Sequence, residues 1–332
     1  MDEHRRTREM IIKSRYNSQS DDAVEITAEI EMLNVPKSQE PKLRFSIHNH
    51  IVQSLTYHAM SYRYEDIVEA HDKTFECAFR QTTPGQLQWS NLSHWLTMGN
   101  GVYWVNGKAG SGKSTLMKHI FDNELTKRYL RVWAKDDPLC VATFFFWNSG
   151  TKDQRPYTGM FRALLFQILE QFRTSFQLFY QRFGQWPILT PLQGLRYPYS
   201  RFNPWSLPQL KEAFKIFVRQ KELPLKTCLL IDGLDEFDGD FDDIISSFND
   251  IAQSTSVKVC LSSRPWPVLT EAFHDCCSLR LQDLTVNDIK KFVTDKFHGN
   301  KSFQKLEQQE PNAASALIEE TVEKADGVFL WV

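Results

Sequence analysis

The eight residues from Gly107 to Ser114 restrict the fold of this chain more than any other part of its sequence. They read Gly-Lys-Ala-Gly-Ser-Gly-Lys-Ser, follow a short apolar run at 102–105 and precede a stretch with helical apolar spacing. Backbone N–H groups can converge on an anion only where no side chain obstructs them, and glycine allows this. The pattern therefore predicts a strand, a phosphate-binding loop and a helix in succession.

The last two residues of this loop supply chemistry that glycine lacks. Lys113 would reach the β and γ phosphates of a nucleotide as a point charge, and the Ser114 hydroxyl would ligate Mg²⁺. We expect the loop and the first residues of the following helix to hold the triphosphate together. These residues are Gly107, Lys108, Ala109, Gly110, Ser111, Gly112, Lys113, Ser114 and Thr115.

Strands and helices alternate along the rest of the chain, which is typical of a parallel sheet covered by helices on both faces. An apolar stripe that begins at Phe161 predicts a long helix. Ser206 and Gln209 have the spacing of a capping box at the start of another helix. Further strands are predicted at 141–147, 228–231, 257–261 and 279–281. The sequence therefore predicts an α/β fold.

Helical spacing also precedes the first strand. Residues 51–79 are expected to be helical, with one apolar stripe, and a second short helix is expected from Leu92. Residues 1–50 are polar and show only weak helical patterns, at 11–16 and 23–33. The stripe in 51–79 consists of Ile67, Ala70, Thr74 and Phe75.

An acidic turn follows the third predicted strand, and an arginine follows the fourth. Because the carboxyl ends of parallel strands meet at one edge of a sheet, Asp232 is expected near the glycine loop, where it could hold Mg²⁺ through water. Asp235 and Glu236 are candidates for positioning the water that attacks the γ phosphate. Arg264 is the candidate for neutralising the charge that develops on the phosphoryl oxygens.

Composition argues against several other functions. The formal net charge is −2 and the isoelectric point is near 6.5, so we expect neither nucleic acid nor a membrane surface as a partner. Residues 1–10 are too charged for a secretory signal, and the longest apolar run, 140–147, is too short to cross a bilayer. Six cysteines without paired spacing suit reduced thiols. A cytoplasmic protein is the expectation.

These motifs together resemble the NACHT NTPase domain of fungal NLR-like proteins, which are often labelled nephrocystin-like and belong to the STAND class of signalling NTPases. The similarity extends from about residue 51 to the end of the chain. Its central segments are the residues that lead into the glycine loop, the acidic turn and the run around the arginine, at 104–107, 230–236 and 261–265. Its flanking segments are 51–55, 70–76 and 325–332.

The resemblance implies a P-loop NTPase sandwich of three layers, with five parallel strands in the order 2-3-4-1-5. It also implies a signalling ATPase switch that is closed with ADP and assembles with ATP, in self/non-self recognition and programmed cell death. Asp232 would coordinate Mg²⁺, Asp235 and Glu236 would support hydrolysis, and Arg264 would sense the γ phosphate. Gly233 occupies the place where fast relatives have a catalytic glutamate, which implies slow turnover.

The polarity of the first fifty residues and this resemblance together divide the chain into four parts. Residues 1–50 would form a polar appendage and linker, and 51–99 a helical lead-in. Residues 100–283 would form the NTPase core, and 284–332 a short helical segment that is cut before a winged-helix domain. Self-association, or association with NLR-like proteins, is the expected mode of action.

Two alternatives remain open on the sequence. The chain could bind nucleotide without hydrolysing it and act as a scaffold or regulator of longer NLR-like proteins. It could also be another kind of P-loop enzyme, because the glycine loop is shared with helicase-type motors and small-molecule kinases. The absence of a basic face argues against the motor, and no acceptor for a kinase is evident.

Overall fold

A computed structural model describes most of the chain and divides it into two compact units. One unit comprises Met1–Thr56 and Leu169–Leu223, and the other comprises Tyr57–Ile168 and Pro224–Val332. The helical patterns at 11–16 and 23–33 lie outside the described residues. The described residues are 48–49, 51–57, 60–71, 74–79, 89–147, 157–183, 205–219, 225–284 and 286–328.

A five-stranded parallel sheet lies at the centre of the second unit. Its strand order is β2-β3-β4-β1-β5, with every neighbouring pair parallel, which confirms the predicted P-loop NTPase fold. The strands extend the predicted runs by one to three residues or shift them by about two, as strand ends usually do. They are β1 (Gly101–Asn106), β2 (Leu139–Phe145), β3 (Lys226–Asp232), β4 (Val257–Ser263) and β5 (Cys277–Arg280).

The sheet is buried on both faces because successive side chains of each strand point to opposite sides. On one face, Tyr103 and Val105 pack with Leu116 and Met117 of the helix that follows the glycine loop. On the other face, the Trp104 ring lies 6.0 Å from that of Phe273. Helices cover both faces, as the sequence predicted.

The helices are numbered in chain order. Before β3 they are α1 (Tyr62–Asp66), α2 (Leu92–Met98), α3 (Lys113–Asp122), α4 (Glu124–Ala134), α5 (Tyr157–Phe183) and α6 (Leu207–Arg219). After β3 they are α7 (Phe241–Ala252), α8 (Pro267–Phe273), α9 (Leu281–Leu284), α10 (Val286–His298), α11 (Lys301–Gln309) and α12 (Pro311–Ala325). Short 3₁₀ turns occur at Glu76–Phe79 and Leu234–Glu236.

The predicted helix over 51–79 is wrong in its second half. Residues 51–55 are helical and α1 ends at Asp66, but Thr74 and Phe75 lie in a turn. Phe75 has a φ of 63°, which a helix does not allow, and its N–H donates to the Asp288 carboxylate over 2.8 Å. The apolar spacing reflected burial rather than helix, because both residues are buried in that turn.

Two local predictions in the remaining helices are confirmed. The Gln209 side chain accepts from the N–H of Ser206 at 3.0 Å, and the Ser206 hydroxyl accepts from the N–H of Gln209 at 3.5 Å, which is the reciprocal capping box. In α5, the stripe from Phe161 to Leu169 is buried.

At the C-terminal side, α10, α11 and α12 pack together around Ile289, Val293 and Ala325.

Candidate functional site

The glycine loop joins β1 to α3 at the carboxyl edge of the sheet. Gly110 and Gly112 have φ angles of 69° and 95°, in the left-handed region that a side chain would strain. Gly112 is the N-cap of α3, so the N–H groups of the first turn are directed towards the loop. The predicted strand, loop and helix are therefore all present, with glycine where the backbone requires it.

The first glycine of the loop is required by crowding. A Cβ at Gly107 would lie 2.9 Å from the Ser111 hydroxyl and 3.2 Å from the Leu281 Cβ. The Ser111 hydroxyl is fully buried and has no hydrogen-bond partner in the described part of the chain. The loop thus holds an unsatisfied polar group, which is rare in a native interior unless something binds there.

Lys113 folds back over this loop. Its ammonium group donates to the carbonyl oxygens of Gly107 and Lys108, each at 2.8 Å. Burial lowers the pKa of Lys113, while the negative charges of Asp235 and Asp232 act in the opposite direction. Arg264 lowers this pKa and Glu236 raises it by smaller amounts. The structure therefore brings the charged residues that the sequence singled out to one place.

Asp232, the last residue of β3, is buried with 1% of its surface exposed. The Ser262 hydroxyl donates to Oδ1 of Asp232 and accepts from the Gly233 N–H at 3.1 Å. Oδ2 is buried and has no partner among the described residues. Burial raises the pKa of Asp232, and the Ser114 hydroxyl, Ser262, Arg63 and Lys113 oppose that rise. One carboxylate oxygen is therefore held and the other is available.

A magnesium ion fits these residues. Mg²⁺ usually keeps several waters and takes one or two protein oxygens together with substrate phosphates. The open oxygen of Asp232 and the Ser114 hydroxyl supply such a pair, since the hydroxyl interacts with that carboxyl group. No group of three or more His, Cys, Asp or Glu side chains suited to a metal occurs in the described ranges. The donor set suits a metal that arrives with a nucleotide.

Asp235 and Arg264 form an ion pair at the same edge. Oδ1 of Asp235 accepts from the backbone N–H of Arg264 at 2.9 Å, and Oδ2 lies 3.1 Å from Nε of Arg264. The Asp235 side chain is 4% exposed, and that of Arg264 is 44% exposed. Asp235 therefore anchors Arg264, while the guanidinium group reaches solvent. Glu236 ends the 3₁₀ turn that follows Gly233, half-buried.

Two further residues act on Asp232, although no sequence motif points to either of them. Ser262 could have been found from register, because Ile231 pairs with Leu261 and the next residues are therefore opposite one another. Arg63 belongs to α1, before the glycine loop, and no motif marks it. Its charge nevertheless acts on Asp232.

Lys108, the second residue of the loop, points away from these groups. Its ammonium group forms an ion pair with the Asp326 carboxylate and lies 3.2 Å from the Asp326 carbonyl oxygen. The loop is thereby linked to the end of α12.

Within the described residues, no helix is long and apolar enough to span a membrane.

Comparisons with known proteins give one family. A family model described as Nephrocystin 3, N-terminal, matches residues 82–264, which is more than half of the chain. This range contains the glycine loop, the acidic turn and Arg264. No curated protein matches the chain.

Several solved structures are similar at low identity. A Walker-type ATPase of Pyrococcus abyssi is 14% identical with a TM-score of 0.33, covering 61% of this chain and 56% of its own. PCH-2 of C. elegans is 10% identical with a TM-score of 0.30, covering 75% and 50%. Drosophila ORC bound to DNA is 14% identical with a TM-score of 0.29, covering 69% and 50%. The chain spans about half the length of these proteins.

Proposed function

The chain belongs to the family described as Nephrocystin 3, N-terminal, and on that premise we propose that its glycine loop binds a nucleoside triphosphate together with Mg²⁺. The observation that carries this proposal is the open oxygen of Asp232, which is buried beside the Ser114 hydroxyl and Lys113. Each of these groups has a defined task in holding a phosphate chain or its metal.

The loop would exchange its internal hydrogen bonds for bonds to phosphate. Lys113 now donates to two loop carbonyl oxygens, and phosphate oxygens are stronger acceptors because they are charged. Gly110 and Gly112 leave the backbone N–H groups unobstructed. Ser114 and Asp232 would hold the Mg²⁺, which neutralises charge on the phosphates when it is bound.

We further propose that the nucleotide is ATP or ADP and that ATP is hydrolysed slowly. The choice of adenine rests on the resemblance to NACHT domains. Gly233 directly follows Asp232, and both oxygens of Asp235 are engaged by Arg264. Glu236 is then the acid left to position the attacking water, while Arg264 would meet the γ phosphate. A site of this kind suits a timed switch.

The proposed role is that of a NACHT or STAND signalling switch in the cytoplasm, within self/non-self recognition and programmed cell death. This part rests on the resemblance of the three motifs. Such a switch would self-associate, or associate with NLR-like proteins, in its ATP form. Light scattering of the full chain with ADP and with a non-hydrolysable ATP analogue tests this, because an unchanged mass in both would contradict it.

A second candidate is nucleotide binding without turnover. The engagement of Asp235 by Arg264 favours it, since a carboxylate that is held by a backbone N–H and an ion pair, and is only 4% exposed, has little access to water. Single-turnover hydrolysis separates the candidates. Phosphate release that is lost in Glu236→Gln supports the slow ATPase, and its absence from the unaltered protein supports the binding module.

Calorimetric titration with MgATPγS tests nucleotide binding itself. We expect Lys113→Ala to lose about 100-fold in affinity, because the charge-assisted contacts to two phosphates disappear. Lys127→Ala is the matched control, since Lys127 is exposed on α4 and pairs with Glu124. Equal affinity in Lys113→Ala and the control would overturn the proposal.

A further inference from the structure

Helix α1 is fixed against the helix that begins at the glycine loop. The Tyr64 hydroxyl donates to Oδ1 of Asp122, and the Tyr64 ring lies 5.8 Å from the rings of Phe121 and Phe145. Lys118 of α3 donates to the Ile67 carbonyl oxygen at 2.9 Å. Because α1 is held by several contacts to α3 and β2, its side chains have defined positions relative to the glycine loop.

One of these side chains reaches the edge of the sheet that carries Asp232. The Arg63 guanidinium lies 5.5 Å from the centre of the Trp147 ring. Trp147 follows the end of β2, whose last residue pairs with Asp232 in the sheet, and the Phe146 N–H donates to the Asp232 carbonyl oxygen at 2.9 Å. Arg63 therefore lies beside the end of β2, the strand next to β3 and Asp232.

Arg63 is only partly satisfied there. It pairs with Asp66, with Nη1 3.6 Å from Oδ2, which is longer than a good charge-assisted hydrogen bond. Nε of Arg63 is buried and has no hydrogen-bond partner in the described part of the chain. The Arg63 charge lowers the pKa of Asp232, yet Oδ2 of Asp232 also has no partner. The unsatisfied donor Nε of Arg63 and the unsatisfied acceptor Oδ2 of Asp232 thus lie at the same edge of the sheet without a hydrogen bond between them.

We propose that Arg63 binds the terminal phosphate of the nucleotide, so that the segment before the glycine loop contributes a third cationic side chain to the site, beside Lys113 and Arg264. The geometry favours a phosphate because guanidinium offers several N–H donors in a planar fork that matches two phosphate oxygens. Metal on the carboxylate side and phosphate on the guanidinium side would satisfy both open groups. This inference rests on the proposed nucleotide binding and deepens it.

The consequence is a preference for the triphosphate over the diphosphate. Lys113 would reach the β phosphate, which both nucleotides have, as well as the γ phosphate, whereas Arg63 would contact only the γ phosphate. The state of α1 would then depend on which nucleotide is bound. Arg63 is a positioning and binding residue in this account, and its loss should act on the ratio of the two affinities.

The experiment measures MgATPγS and MgADP affinities for the unaltered protein, Arg63→Gln and Arg63→Lys by calorimetry. We expect Arg63→Gln to lose on the order of 30-fold in triphosphate affinity and little in diphosphate affinity. Arg63→Lys keeps the charge and loses the fork, so an intermediate ratio is expected. Asp66→Asn is the matched control, because it removes the carboxylate that pairs with Arg63 and should preserve the ratio.

The outcomes separate this inference from the function on which it rests. If the unaltered protein binds neither nucleotide, both proposals are overturned. If it binds both, and Arg63→Gln and Arg63→Lys keep the unaltered ratio, only the role of Arg63 is overturned. An equal loss for both nucleotides in Arg63→Gln would also overturn it, because that result indicates a structural role. Arg63→Lys decides the matter should Arg63→Gln fail to fold.

Discussion

Strand β4 has a buried charged residue beside each of its ends, Lys258 at the start and Asp232 at the end, and the two differ in how far their polar atoms are paired. At the start of the strand, the Lys258 ammonium donates to the carbonyl oxygens of Trp95 and Leu96, the latter at 2.6 Å. It also lies 4.6 Å from the centre of the Trp133 ring. At the end of the strand, Ser262 holds one oxygen of Asp232 and the other has no partner among the described residues.

This difference separates a structural charge from the charge that we propose to bind nucleotide. We call the Lys258 end of the strand the structural end and the Asp232 end the binding end. Lys258 closes the C-terminal turn of α2, where exposed carbonyl oxygens favour a cation, and its contacts explain why a lysine can be fully buried. The open oxygen of Asp232 is costly, because no contact of this kind offsets its burial among the described residues. Burial alone therefore does not mark a functional residue. Burial together with an unsatisfied atom and converging charges does.

The largest expected effect at the binding end concerns Arg264. Arg264→Gln should slow single-turnover ATP hydrolysis about 100-fold, because one cation facing the developing charge is lost. Nucleotide affinity should change much less. Asp235→Asn keeps the arginine but releases its anchor, so a smaller loss is expected. Rapid-quench measurement of phosphate release checks this, and unaltered hydrolysis in Arg264→Gln would remove the arginine from the mechanism.

At the structural end, the stability of the protein should depend on pH through Lys258. Burial lowers the pKa of Lys258 from 10.5 to about 8. Between these values the unfolded chain holds a proton that the folded chain has lost, so this group makes stability rise with pH. From pH 8 to pH 10, the unaltered protein should gain about 2 kcal/mol of unfolding free energy relative to Lys258→Met. Urea unfolding of both proteins measures the difference, and parallel pH curves would contradict it.

A smaller effect is expected at Ser262, which lies at the binding end and donates a hydrogen bond to Asp232. Ser262→Ala leaves the Gly233 N–H without its acceptor, which should cost about 1 kcal/mol of stability. It also removes a contact that lowers the pKa of Asp232. Since Asp232 must be ionised to hold Mg²⁺, magnesium-dependent binding should be lost at a higher pH as the pH falls.

The neighbouring serine is the control for this prediction. The Ser263 hydroxyl accepts from the Trp104 indole N–H at 2.8 Å, and successive side chains of a strand point to opposite faces of the sheet, so Ser263 faces away from the side of Ser262. Ser263→Ala should lower stability without moving the pH midpoint of binding, which titrations across pH 5 to 8 can follow. A midpoint that shifts equally in both variants would mean that Ser262 acts only through stability.

The binding end was far more predictable from sequence than the structural end. The glycine loop is local, since a strand, eight residues and a helix stand together in the chain, and Asp232 follows from the rule that parallel strands end at one edge. The fold was confirmed with its strand order. The roles of Asp235, Glu236 and Arg264 stay predictions, although the structure places these residues together.

What the sequence could not predict depends on partners that are distant in the chain. Lys258 lies in a predicted strand, 257–261, that is otherwise apolar. Nothing in this run predicts that Lys258 contacts the carbonyl oxygens of a helix and the indole rings of Trp95 and Trp133. Arg63 lies against Trp147 at the end of β2 because contacts such as those of Tyr64 and Lys118 hold α1 on α3. Thr74 and Phe75 have the spacing of a helical stripe but lie in a buried turn. The carboxylate of Asp288, more than 200 residues later, accepts from the Phe75 N–H and holds that turn. Spacing reports burial, and long-range contacts decide what is buried.

The central claim is that Asp232 keeps its open oxygen for a metal-bound nucleotide, while Lys258 serves the fold. The most direct test is the affinity for ATPγS with and without Mg²⁺ in the unaltered protein, Asp232→Asn and Lys258→Met. We predict that Mg²⁺ strengthens binding in the unaltered protein and in Lys258→Met, and that Asp232→Asn loses this gain. An undiminished gain in Asp232→Asn would contradict the account.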